Sequence, residues 1–148
     1  MKQASKILYI TAIIFSIVEV VLLIGSAIFF LIAVNVPALF NFFSHRFEWI
    51  TYIDSWFEDK VSLFTRIYLI SQGITYAFSA IPYVIAIPLY NTAKNKLEDL
   101  ENSNIGTFIV TIVFGVLTSK FGIAAGVLGV IARSFAIRNK KRNIVSEQ

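Results

Sequence analysis

The chain has 148 residues, enough for one domain; 57% are hydrophobic and 15% charged, where soluble domains hold about 45–50% and about 25%. It has no cysteine, which excludes disulfides, thiolate metal sites and cysteine nucleophiles. The net charge of +4 gathers at Arg133, Arg138, Lys140, Lys141 and Arg142, beside a hydrophobic segment, which marks a membrane flank and not a nucleic-acid surface.

From Ile7 to Val34 the only charge is Glu19. A run of that length reads as a transmembrane helix, because a helix satisfies its own backbone in lipid. It would measure about 42 Å against roughly 30 Å of hydrocarbon, so it must tilt or emerge. Lys2 and Lys6 precede it as in a signal peptide, but the apolar stretch exceeds an h-region and no A-x-A pattern follows, so an uncleaved span is expected.

Between 38 and 59, Leu39, Phe43, Phe47, Ile50, Ile53 and Phe57 recur at steps of three and four, with Asn41, His45, Glu48 and Asp59 opposite. This spacing predicts an amphipathic helix, lying in the outer interface or folded back over the spans. Phe43, Phe47, Trp49, Trp56 and Phe57 form its candidate interfacial or partner surface, and tryptophan favours the headgroup zone. His45 and Glu48 stand three apart, too few ligands for zinc. They read as solvent-facing polarity.

A second span is expected over 63–90, with Arg66 marking its outer end and Pro82 and Pro88 kinking or ending it. Asn91 to Asn104 reads as a polar loop. The last block, 105–132, carries Lys120 near its middle. One helix would bury that lysine at about 2.5–3.5 kcal/mol on insertion scales. Two short helices, 104–118 and 121–137, would turn at Thr118-Ser119-Lys120 instead. Charge bias favours the turn, because a four-span chain keeps Lys2, Lys6, Lys94, Lys96 and the basic tail 138–148 on the cytoplasmic side. The expected fold is therefore an all-α integral membrane protein. Its four transmembrane helices are two long ones and then a short hairpin pair, with an extracytoplasmic amphipathic helix between spans one and two.

Gly122, Ala125, Gly126 and Gly129 set small residues four apart on the last helix, a helix-packing face that serves the chain itself or a homodimer. Gly73 and Ala77 repeat the spacing more weakly. Glu19 falls close to mid-membrane, and Thr75, Tyr76 and Ser79 fall at similar depth in the second span. They form a candidate intramembrane polar site, either a proton or cation site or a neutral carboxyl that fixes helix pairing. No catalytic constellation, cofactor motif or metal-ligand set is present in the sequence, so an enzyme is not expected. The expected partners are the lipid bilayer and another membrane protein or a membrane-active peptide.

The stretches "IPLYNTAKNK", "NIGTFIVTIVFGVL" and "GIAAGVLGVIARSFAIRNKKRN", with Gly106, Gly115, Gly122, Gly126 and Gly129 and a basic end, resemble small four-helix membrane proteins of Gram-positive bacteria, most of them of unknown function. The resemblance covers spans two to four. It implies the four-helix topology and a bacterial cytoplasmic membrane, and no catalytic residues. The aromatic insertion Phe40 to Phe57 departs from that pattern.

Overall fold

The computed structural model describes residues 1–52 and 60–146, with side chains described over 1–49 and 60–143. The described residues form α1 (Lys2–Ala33), α2 (Pro37–Ser44), a 3-10 helix (His45–Tyr52), α3 (Val61–Lys96), α4 (Ile105–Leu117) and α5 (Lys120–Ser146). Three of these, α1, α3 and α5, are long and apolar enough to cross a membrane, while α4 has 13 residues.

Both α1 and α3 outrun the apolar stretches expected to form them. Helix α1 begins at Lys2, and α3 continues through Pro82 and Pro88 to Lys96. The prolines were expected to kink or end the second span, and they do not end it. Each lacks an N–H and so frees only the carbonyl four residues back, Phe78 or Val84, which packing against neighbouring helices tolerates. The polar loop therefore shrinks to 97–104. The expected helix over 38–59 begins one residue early, at Pro37, a favoured first helical position. It tightens into a 3-10 helix at His45, and Trp56 and Phe57 lie outside the described residues.

By its contacts the chain divides into two compact units, Met1–Val20 with Ile81–Gln148, and Val21–Ala80. In the first, Tyr9, Ala12, Ala86, Tyr90, Ala93, Leu97, Phe108 and Ala125 are the buried core. Half of these are alanines, which lets helix axes approach closely. Inner helix faces pack on one another, while Ile14, Ile81, Val113, Val116 and Val127 stay exposed on the outer faces. That inversion of the soluble pattern is what a lipid solvent demands. In the second unit Ala33, Phe43 and Leu69 are buried, with Phe30, Phe40 and Tyr68 packed around them.

Four basic residues tie the α3–α4 loop to the rest of the first unit. Lys6 pairs with Glu98 at 3.0 Å, and Lys2 donates to the Glu98 carbonyl at 3.3 Å. Arg133 Nε donates to the Ser103 carbonyl at 2.7 Å, and Lys140 meets Glu101 at 3.0 Å. The start of α1, the end of α3, the start of α4 and the second half of α5 thus lie at one end of this unit.

Candidate functional site

The turn expected at Thr118-Ser119-Lys120 is present, and its chemistry is local. The Thr118 and Ser119 amides donate back to Phe114 and Gly115, closing α4. Ser119 then caps α5: its hydroxyl accepts from Phe121 N at 3.2 Å and its carbonyl from Gly122 N at 2.9 Å. A short polar side chain before a helix supplies the acceptor that the first amides lack. At the other end of the hairpin, Asn104 Oδ1 accepts from Gly106 N at 2.8 Å and starts α4.

The small residues of α5 face three different helices. A Cβ at Gly126 would stand 2.5 Å from Ile112 Cγ1 and 2.9 Å from the Phe108 carbonyl, and one at Gly129 would meet the Phe108 ring at 2.6 Å. At Gly122 a Cβ would collide with the Tyr90 hydroxyl. The Ala125 carbonyl accepts from Ser5 Oγ at 2.9 Å. Gly122, Ala125, Gly126 and Gly129 are therefore filled by α1, α3 and α4 of the same chain. In the second unit Gly73 presses on Leu31 and the Ala27 carbonyl, while Ala77 is exposed.

Hydroxyl pairs stitch the first unit together inside its apolar core. Thr111 donates to the Phe108 carbonyl, so its oxygen is left to accept from the Tyr9 hydroxyl at 2.8 Å. Thr118 likewise donates to Phe114, and Tyr90 donates to Thr118 at 2.7 Å. Each threonine has one proton, which fixes these directions.

The candidate polar residues divide between the units. Glu19 is half-buried in the first unit and makes no hydrogen bond or ion pair among the described residues. Three residues before it, Ser16 is 0% exposed and its hydroxyl has no partner among the described residues. Thr75, Tyr76 and Ser79 belong to the second unit. Thr75 and Ser79 spend their protons on their own helix, at the Ser71 and Thr75 carbonyls, and the Tyr76 ring stacks on Phe30 at 5.5 Å. Lys120 is exposed and unpaired among the described residues. Ser16, Tyr9 and Tyr90 went unnoticed in the sequence. Hydroxyls recurring inside apolar helices were the available signal.

The aromatic segment splits in two. Phe43 is buried against Phe30 and Tyr68, and Phe47 meets the Tyr68 ring edge-on at 5.3 Å. These two rings, expected on a partner surface, instead fasten the segment to its own unit. Phe42 and Trp49, 58% and 59% exposed, remain outside, with the Arg46 guanidinium over the Phe42 ring at 5.7 Å. Arg66 lies over Phe40 at 6.0 Å. His45 Nδ1 lies against Glu48 on an exposed surface, and no group of three or more metal-ligating residues occurs among the described residues.

Comparison with protein-family models, with curated proteins and with solved structures gives no match. The class the fold defines is a helical protein with three helices able to cross a membrane.

Proposed function

We propose that this is a non-enzymatic bacterial membrane protein, both termini cytoplasmic, that acts through contacts. It serves as an accessory subunit of a transporter or envelope complex, or as an immunity-type protein against a membrane-active peptide. The supporting observation is the division of labour in the aromatic segment: Phe43 and Phe47 hold it while Phe42, Arg46 and Trp49 are left on offer. Exposed aromatic and arginine side chains are the types that dominate protein–protein hot spots. A photo-crosslinking residue at Trp49 tests this in native membranes. A discrete protein adduct, lost in Phe42→Ala, supports the reading. Adducts to lipid alone would make the patch a membrane anchor and remove it.

The expected topology gains support from the ties to the α3–α4 loop. Glu101 and Lys140 touch, so the chain between them crosses the bilayer an even number of times, as the cytoplasmic tail requires.

A second reading is favoured by the unpaired Glu19 beside the unpartnered Ser16. On this reading the protein is a small channel or transport subunit, with Glu19 as an intramembrane proton or cation site. Glu19→Gln is then expected to change ion flux into liposomes more than it changes unfolding. Equal flux through both proteins would exclude it.

A further inference from the structure

The even number of crossings between Glu101 and Lys140 is either two or none, and helix lengths decide between them. Helix α4 has 13 residues, about 20 Å, while a hydrocarbon core is about 30 Å thick. The far end of the hairpin can be located against α1. The rings of Phe15 and Phe121 meet edge-on at 6.3 Å, and Phe121 is the second residue of α5. Phe15 is only the fourteenth of the 32 residues of α1, which continues to Ala33. At its other end the hairpin is level with the first residues of α1, through Lys6–Glu98 and Lys2–Glu98. The hairpin therefore covers the first half of a helix whose apolar run reaches Val34.

What lies just past the tip matters as much. Ser5, Ala12, Phe15 and Glu19 are spaced seven, three and four apart and share one face of α1. Ser5 bonds to Ala125 and Phe15 meets Phe121, so this face is turned to α5. Glu19 is the next position on it, one turn beyond the place where α5 starts. Helical side chains lean toward the N-terminus of their own helix. That rule tilts the Cα–Cβ bond of Glu19 toward the tip and that of Lys120 out past it, and the two side chains make no ion pair among the described residues. The buried Ser16 hydroxyl, which finds no partner among the described residues, lies at this level of α1.

We propose that α4 and α5 form a re-entrant hairpin that enters and leaves by the cytoplasmic face, and that Lys120 at its tip and Glu19 above it are the counter-charges of one polar site near the bilayer midplane. Helix ends at membrane depth are tolerated where they line a polar or water-filled cavity. The positive N-terminal end of α5 adds to the field of Lys120 on the carboxylate. The buried Ser16 hydroxyl is a further polar group at that level. The inference goes beyond both functional readings and depends on neither.

Two measurements test it, using the cysteine-free full chain. The first is the depth of a nitroxide attached through Val116→Cys, a position 72% exposed and one turn from the tip. The expected result is midplane behaviour, with collisions from oxygen far exceeding those from a water-soluble nickel chelate. A label reached by the chelate as readily as one in the headgroups would overturn the hairpin and restore two full crossings. The second is a double-mutant cycle on folded yield and detergent stability with Glu19→Gln and Lys120→Gln. Each single change leaves one charge without its counter-charge, so the pair is expected to recover about fivefold or more relative to additivity. Additive losses would overturn the charge site whatever the depth.

Discussion

Gly126 and Gly25 both sit in apolar helices, yet a methyl group added to each meets an opposite environment. At Gly126 it would press on Ile112 and on the Phe108 carbonyl, backbone that cannot step aside, whereas at Gly25 nothing lies within 4 Å. Gly126→Ala is expected to destabilise the folded state by about 1–3 kcal/mol, the range for overpacking. Gly25→Ala should be neutral or stabilise by up to about 1 kcal/mol, because alanine loses less backbone entropy in a helix. Unfolding in mixed micelles at rising SDS fraction reads both, and equal midpoints would refute the packing assigned to α5. The hydroxyl pairs call for a smaller number. Tyr9→Phe removes one bond to Thr111, whose own proton remains on Phe108. Bonds of this kind inside membrane helices average about 0.6 kcal/mol, so the same titration should move only slightly.

Among the elements, the α3–α4 loop is held by charge and the α4–α5 turn by caps, and only the second was legible. Ser119 and Lys120 interrupt an otherwise apolar block, and a polar residue before a helix is a start signal. The loop ties were not legible, because pairing Lys6 with Glu98 or Lys140 with Glu101 depends on tertiary contacts that no spacing encodes. Pro82 and Pro88 did not end the helix: as helix stops, they lost to packing around α3. Of the amphipathic period expected over 38–59, the side chains described reach only to Trp49, and the period does not say what covers them: Phe43 and Phe47 face Tyr68 and Phe42 does not. The loop ties carry a pH signature. The Lys6 ammonium hydrogen-bonds and attracts Glu98, and holds its carboxyl below the usual range. A carboxyl whose pKa is lower folded than unfolded adds stability above the unfolded value and loses it as pH falls through the folded one. Glu98 is well exposed, so the effect is small. Glu98→Gln should lower the melting temperature slightly at neutral pH, with the gap closing below about pH 4. A gap that persisted in acid would point to packing and not charge.

At the scale of the whole chain, the proposed sidedness rests on contacts and composition together. Lys6 touches Glu98 and Lys140 touches Glu101, so cysteines placed at Asn102 and at Lys141 must respond alike to a reagent that cannot cross the bilayer. That equality holds for either orientation. The proposed orientation rests on the basic residues: the expected topology gathers Lys2, Lys6, Lys94, Lys96, Arg138, Lys140, Lys141 and Arg142 on one side, the pattern that marks a cytoplasmic face. In intact cells an impermeant maleimide is therefore expected to label Trp49→Cys and to spare both Asn102→Cys and Lys141→Cys until the membrane is permeabilised. Labelling of 102 and 141 without 49 would invert the protein and move the aromatic patch to the cytoplasmic side, where a membrane-active peptide arriving from outside would not meet it. Labelling of only one of the pair would break the ion pair between Glu101 and Lys140. The α4–α5 hairpin would then have to open into a single crossing, with Lys120 left inside it.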